Sequence, residues 1–330
     1  MAQEREKYLY LTAMLRAREV RLLTRERAMS MLDAPTFDDA ARILTDCGYE
    51  DMSGMKAGEI DSVLNRRREE VFAETARLSP ETALVDIFRI RYDYHNVKAI
   101  IKARAMEVDA EYLLSRSGRV EPEKLTAACR EGKNASLPKA LGTAVREAES
   151  VLARTANPQM SDFVLDAACF AELKECAAQT ENAFVEKYVS ALIDCANIKG
   201  SVRTLRMGKS PDFMADVLVD GGTVSRTRFL TADSGDAIAA LFANTHLEKA
   251  AQLGAEAING GSMTTFELEC DNVIVRLLRE AGRVSYGCEP LLAYLAAIEN
   301  ETTAVRMILN AKLAGIHPQV IKERLRELYA

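Results

Sequence analysis

The sequence of 330 residues contains no Trp and only 8 Pro, and aromatic residues make up just 6% of it. Strands are enriched in aromatic and β-branched residues, so this composition gives little support to a strand-rich fold. Ala, Leu, Glu and Arg dominate instead, and all four are strong helix formers. We therefore expect an all-α fold.

Long apolar runs and basic blocks are also missing. No stretch approaches the roughly 20 apolar residues that span a bilayer, and the charged start, residues 1–7, predicts no signal peptide. The net charge is −6 with both signs interspersed, so we expect no nucleic-acid binding. The 7 Cys are irregularly spaced and form no Cys-x-x-Cys pair. They predict a reducing, cytoplasmic location without a disulfide framework.

Motifs for catalysis are incomplete. Met207–Ser210 ends like a phosphate-binding loop, but Arg203 stands where that loop needs Gly, and the residues before it are helical in pattern. The three histidines, His95, His246 and His317, include no pair at i, i+4 that could hold a metal on a helix. We expect no catalytic, cofactor-binding or metal site. A Cys–His pair assembled by the fold is the enzymatic alternative.

Helical periodicity is the clearest signal in the sequence. A first long helix carries an apolar stripe at Ile87, Ile90, Tyr94, Val97 and Ile101, which step by three and four residues. Two further long helices, near 185–205 and 291–309, carry similar stripes. Strand evidence is limited to 217–224, where a small hairpin competes with an interhelical turn, and we favour the turn.

Several residues mark helix boundaries. Thr36, followed by Asp39, predicts the N-cap of a helix that ends at Gly48. Ser79 before Pro80 predicts another helix start, because Pro is tolerated in the first turn.

A polar motif recurs along the long helices. Its members are Asp93, Asn96 and Lys98 in the first helix, Asp194, Asn197 and Lys199 in the second, and Asn300 and Arg306 in the third. The first two copies are 101 residues apart, and the third follows 103 residues later. In the third copy Ala297 and Thr302 stand at the Asp and Lys positions. A Gly turn follows each helix, at Gly118, Gly222 and Gly315.

The recurrence predicts three helical units of about 100 residues, with boundaries at 1–115, 116–218 and 219–330. Such units need neighbours to cover their apolar faces, which favours a stacked or pseudo-symmetric arrangement. The repeated Asp, Asn and Lys could form an acid–base set. Duplicated catalytic centres are rarer than duplicated structural networks, so we interpret the motif as capping or interhelix hydrogen bonding.

The order and spacing of these motifs resemble a known family. Tyr8–Arg18 and Leu22–Glu26, the two Asp-x-x-Asn-x-Lys helices, and the ending from Glu299 through Arg306, Lys312 and Gly315 resemble the C subunits of V/A-type rotary ATPases, the relatives of the eukaryotic d subunit. The resemblance covers nearly the whole chain. It also implies a final helix at Val320 to Leu328.

The resemblance implies three similar helical domains in a pseudo-threefold, funnel-like arrangement. The wide base would sit on the membrane rotor ring of proteolipid subunits, and the socket would receive a central stalk made of the D and F subunits. Such a protein transmits torque during ATP-linked proton or sodium ion transport and binds no nucleotide or metal. We expect contact with the membrane only through the ring, and a monomer when the chain is isolated.

The Gly turns and nearby basic residues are then candidates for a partner interface around the axial opening. These candidates are Gly118, Lys199, Arg203, Arg206, Gly222 and Gly315. The alternative is a free-standing helical-repeat scaffold that binds other proteins. Units of about 100 residues are long for that class, in which repeats of roughly 35 to 45 residues are usual.

Overall fold

The computed structural model describes residues 5–330, and residues 1–4 of the charged start, where no signal peptide is predicted, lie outside it. Every regular element within residues 5–330 is a helix. This confirms the all-α prediction, and residues 218–225 join two helices without forming a hairpin. None of the helices in this range is both long and apolar enough to cross a membrane.

Sixteen α-helices follow one another along the described residues. They are α1 Leu9–Glu19, α2 Arg25–Asp33, α3 Phe37–Ile43, α4 Ala57–Leu78, α5 Ala83–Ala105, α6 Pro122–Glu131, α7 Lys139–Thr155, α8 Pro158–Gln179, α9 Ala183–Arg206, α10 Pro211–Val217, α11 Arg226–Thr231, α12 Gly235–Leu241, α13 Glu248–Ile258, α14 Met263–Arg279, α15 Cys288–Leu313 and α16 Pro318–Lys322. Short 3₁₀ helices cover Leu44–Cys47, Glu111–Leu113, Asn134–Ser136 and Glu280–Arg283.

Local sequence signals account for many of the helix ends. The Thr36 side chain accepts a hydrogen bond from the Asp39 backbone N–H at 3.1 Å, as the sequence predicts for an N-cap. Thr24 caps α2 in the same way. The 3₁₀ turn after α3 ends at Gly48, whose φ of +79° lies in the left-handed region that Gly adopts without strain.

The helices form two compact units. The first contains the described part of Met1–Val85 together with Ser262–Ala330, and the second contains Asp86–Gly261. The division into three units at 115/116 and 218/219 stays a prediction.

Helix α15 forms the centre of the first unit. Its N-terminal half is apolar around nearly its whole circumference, and α1, α2, α3 and α4 pack against the helix. A helix buried on all sides cannot show one narrow apolar stripe, which explains its uninterrupted apolar run at 291–298. Its C-terminal half shares a core with Leu32, Met52 and Leu64.

Helices α8 and α9 organise the second unit. Helix α8 packs along α7 and α9, and α9 packs against α13. Helix α5 joins this group through the ring contact of Phe88 with Tyr188 and through the ion pair of Lys98 with Asp166. The long helices that carry the first two copies of the polar motif, α5 and α9, therefore both contribute to this unit.

Candidate functional site

The first copy of the motif fastens an irregular chain segment to α5. Asp93 is fully buried, and its Oδ1 accepts hydrogen bonds from the backbone N–H groups of Arg119 at 2.9 Å and Val120 at 3.1 Å. Asn96, one turn later on the same face, donates to the Ser115 carbonyl at 2.7 Å and accepts from the Ser115 N–H at 2.8 Å. We call this arrangement of Asp93 and Asn96 with residues 115–120 the first junction.

The second copy repeats this geometry on α9. Asp194 is fully buried and accepts from the backbone N–H groups of Thr223 at 3.0 Å and Val224 at 3.4 Å. Asn197 donates to the Val219 carbonyl and accepts from the Val219 N–H, both at 2.9 Å. In both copies the later residues of the segment meet the earlier residue of the helix, so the segment runs antiparallel to the helix. Asp194 and Asn197 with residues 219–224 form the second junction.

Glycine makes this close approach possible. A Cβ atom added to Gly118 would overlap Asp93 Oδ1, and one added to Gly222 would overlap Asp194 Oδ1. Each Gly directly precedes the backbone N–H groups that the carboxylate binds. Gly118 and Gly222 therefore serve an internal contact at positions that the sequence marks only as turns.

The third copy uses two Asn residues where the others use one. Asn300 on α15 donates to the Glu327 carbonyl at 2.6 Å, whereas the Glu327 N–H donates to Asn272 Oδ1 on α14 at 2.8 Å. The Oδ1 atom of Asn300 is buried without a hydrogen-bond partner. Asn300 and Asn272 with the backbone of Glu327 form the third junction, in which Ala297 stands at the position of the buried Asp.

The final helix predicted at 320–328 is therefore wrong for most of its length. Helix α16 ends at Lys322, and residues 325–330 are irregular. The backbone of Glu327 is held by the two Asn side chains instead of by helical hydrogen bonds.

At the first junction a charged network binds the second oxygen of the buried Asp. Arg119 Nε donates to Asp93 Oδ2 at 2.7 Å, and its Nη1 donates to Glu172 Oε1 on α8 at 2.7 Å. Tyr94 donates its hydroxyl to the other Glu172 oxygen at 2.9 Å. At the second junction the corresponding group is neutral, since the Thr223 hydroxyl donates to Asp194 Oδ2 at 2.5 Å.

Burial sets the electrostatics of both carboxylates. It raises the pKa of Asp93 above its ordinary value, and the Arg119 guanidinium opposes that rise. Burial likewise raises the pKa of Asp194, against which the bonds from Thr223 act. Because the oxygens are occupied by N–H and O–H donors, these groups hold the backbone in place and are not aimed at a substrate.

Two remaining motif residues and one interface candidate make contacts of their own. Lys98 pairs with Asp166 at 2.5 Å, and Arg306 pairs with Asp61 at 2.6 Å. Arg206 donates to the carbonyls of Ala257 and Gly261.

The other interface candidates differ in exposure. Lys199 is half-buried, whereas Arg203 and Gly315 are exposed. Gly118 is buried and Gly222 half-buried within the chain itself. The assignment of these residues to a partner interface stays a prediction.

A further buried carboxylate lies in the family-like ending of the sequence, where no role of its own is predicted for it. Glu301 on α15 accepts hydrogen bonds from the Leu23 N–H at 2.6 Å and from the Tyr49 hydroxyl at 2.7 Å. Burial raises its pKa, while the nearby Arg67 guanidinium lowers it. Glu301 connects α15 to two connecting segments of the first unit. Its position next to Asn300 gives no signal, because a charged residue on a helix is usually exposed.

No group of three or more His, Cys, Asp or Glu within the described residues is arranged to hold a metal ion. All seven Cys are buried, and burial raises the pKa of Cys129 to about 11 and those of Cys169, Cys176 and Cys288 to about 12. Such thiols are protonated near neutral pH and are poor nucleophiles.

Comparison with known proteins identifies the family of this chain. A sequence model of the family described as "ATP synthase (C/AC39) subunit" matches residues 11–324. The C subunit of the V-type sodium ATPase of Enterococcus hirae is 24% identical over 98% of this chain and 99% of its own length. The C subunit of the V-type ATP synthase of Thermus thermophilus is 22% identical over 96% of this chain and 98% of its own. The C subunit of the A-type ATP synthase of Pyrococcus horikoshii is 22% identical over 97% and 90%. The chain therefore belongs to the ATP synthase (C/AC39) subunit family.

Proposed function

We propose that this protein is the non-catalytic C subunit of a V/A-type rotary ATPase or ATP synthase. It connects the central stalk, made of the D and F subunits, to the membrane rotor ring of proteolipid subunits, and so couples ATP chemistry to proton or sodium ion transport. The family match across residues 11–324 is the observation that carries the proposal. Relatives named as C subunits, aligned over nearly their full lengths, support it.

The use of the buried polar groups agrees with a mechanical role. A spacer that transmits torque needs connecting segments fixed to its long helices, and buried hydrogen bonds to the backbone fix them. Each such bond adds about 0.5–1.5 kcal/mol of stability, and losing one partner leaves the other unsatisfied. Asp93, Asn96, Asp194 and Asn197 bind backbone in this way.

The arrangement of the units belongs to the same proposal. We infer three helical units in a pseudo-threefold funnel, with partner contacts near Gly315 and Arg203. The protein would lie on the cytoplasmic side and touch the membrane only through the ring. It would be a monomer when isolated.

Affinity capture tests the proposed function. The chain, tagged in its own cell, is purified from detergent-solubilised membranes, and the co-purifying proteins are identified by mass spectrometry. We expect the D and F subunits of the stalk and the ring protein, in constant ratio to the tagged chain. The untagged strain is the control. Recovery of unrelated soluble partners instead would favour a free-standing scaffold and contradict the proposal.

A further inference from the structure

A short segment after α5 exposes an unusual amount of apolar surface. Four of the twelve large apolar side chains that are exposed among the described residues lie within residues 106–113. They are Met106 at 70% exposure, Val108 at 54%, Tyr112 at 80% and Leu113 at 47%. Scattered single apolar residues are ordinary on protein surfaces, but a cluster of this kind marks an interaction site.

The backbone holds this segment in a defined conformation. The Val108 N–H donates to the Ala103 carbonyl at 2.9 Å, which closes the C-terminus of α5 with Glu107 in the left-handed region. His95 on α5 hydrogen-bonds the Leu113 carbonyl at 3.2 Å. The apolar side chains are therefore presented outward by an ordered turn.

A cleft of about 570 Å³ lies directly behind the segment. Ile100, Val108, Leu114 and Pro122 provide its apolar wall. The volume is in the range of pockets that receive ligand groups or side chains. Val108 belongs both to the exposed cluster and to the wall of the cleft, so the two are adjacent.

The charges of this surface indicate that its partner is basic. Three carboxylates alternate with the apolar residues, at Glu107, Asp109 and Glu111, and none forms an ion pair with a described residue. The guanidinium of Arg130 is the one unpaired cation on the described wall of the cleft, because Arg104 pairs with Glu149 and Arg116 with Glu121 and Glu123. Unpaired negative charge therefore exceeds unpaired positive charge.

We propose that residues 106–113 and the cleft behind them form a docking surface for a partner protein that presents Lys or Arg around an apolar side chain. The inference rests on the proposed function, under which the partner is another component of the rotary complex. Opposite charges around an apolar centre give such a contact both specificity and affinity. The alternative occupant is a lipid surface. The three carboxylates disfavour it, because membrane surfaces that bind proteins electrostatically are anionic.

Photocrosslinking from Tyr112 tests the docking surface. The variant Tyr112→p-benzoylphenylalanine is expressed with an affinity tag, the native complex is irradiated, and cross-linked peptides are identified. We expect an adduct with a protein segment rich in Lys or Arg and apolar residues. Tyr10→p-benzoylphenylalanine is the matched control, because Tyr10 is a similarly exposed Tyr, at 73%, outside the segment. It should not label that segment.

A charge variant adds a second readout. E107K/E111K should reduce recovery of the cross-linked partner about tenfold, and Tyr10→Ser should leave recovery unchanged. The docking surface is contradicted if the intact complex is recovered with the wild-type chain but Tyr112 labels lipid, an acidic peptide or nothing. Failure of the wild-type chain to recover any other rotary ATPase component would instead contradict the proposed function.

Discussion

The first and second junctions both fix a connecting segment to a long helix, but the buried carboxylate has a different side-chain partner in each. Both place a fully buried Asp against two successive backbone N–H groups, and both place a Gly just before them. Around Asp93 the second oxygen binds the Arg119 guanidinium, which also reaches Glu172. Around Asp194 the second oxygen binds the Thr223 hydroxyl in place of a cation. The shared element is therefore the backbone contact, and the hydrogen bond from a guanidinium is specific to the first copy.

The third junction extends this comparison. It keeps a two-sided hydrogen bond to one backbone residue, Glu327, but divides it between Asn300 and Asn272. It has no buried carboxylate at the Ala297 position. The amide contact with the backbone is thus common to all three copies, whereas the carboxylate contact is common to two.

Replacing each Asp by Asn should destabilise the protein more at the first junction than at the second. Asp93→Asn should lower the free energy of unfolding by about 3 kcal/mol, because Arg119 Nε loses an anionic partner in a buried site. Asp194→Asn should cost about 1 kcal/mol, since the amide oxygen still accepts from the backbone and the amide N–H₂ can donate to the Thr223 oxygen. Urea unfolding measures both. Equal losses would show that the counter-charge does not matter.

Replacing Gly118 or Gly222 should disrupt the contact between carboxylate and backbone that both junctions share. Gly118→Ala and Gly222→Ala should each cost about 2 kcal/mol, because the new methyl group displaces a buried carboxylate from its N–H partners. Gly58→Ala is the control, since nothing lies within 4 Å of a Cβ there. It should be neutral or stabilising in the same urea experiment. A cost confined to one junction would show that the backbone contact is not common to both.

Removing the Thr223 hydroxyl should lower the stability of the protein only modestly. Thr223→Val deletes the hydroxyl bond to Asp194 while both backbone bonds remain, so we expect a loss of about 1 kcal/mol. Thermal unfolding followed by circular dichroism checks this, with Thr227→Val, at an exposed Thr four residues further along the chain, as the control. A loss as large as that of Asp93→Asn would contradict the secondary role assigned to the hydroxyl.

The smallest expected effect is the pH dependence of stability that Asp194 causes. Burial raises the pKa of Asp194 in the folded state, so folding favours its protonated form. The part of the stability that comes from protonation of Asp194 is therefore fully present below its unfolded pKa of about 3.9 and is lost as pH rises through the folded pKa. The unfolding midpoint of the wild type minus that of Asp194→Asn should fall as pH increases across that window. A difference that grows with pH would mean that the carboxylate is stabilised in its charged form.

Much of this arrangement can be predicted from sequence because it is local. The Asp and Asn of each of the first two junctions are three residues apart on one helix face, and the matching Gly turn lies within 30 residues, so their recurrence at an offset of 101 residues is visible. The Thr36 cap and the end at Gly48 are set by neighbouring residues, and the structure confirms both.

Other features depend on residues that only the folded chain brings together. Arg119 meets Glu172 through the packing of α8 beside α5, and Asn272 reaches Glu327 from another helix. The helix start predicted at Ser79 is also displaced. Ser79 is the C-cap of α4, and α5 begins at Ala83. A Ser before Pro can serve either end of a helix, and tertiary packing decides which.

Ion transport by membrane vesicles tests the coupling role most directly. Vesicles from cells that lack this protein are supplied with ATP, and ATP hydrolysis and ion uptake are measured with and without the purified chain. A coupling role predicts hydrolysis without ion uptake in its absence, and uptake restored in proportion to the added chain. Ion uptake that proceeds at the wild-type rate without the protein would contradict the coupling role.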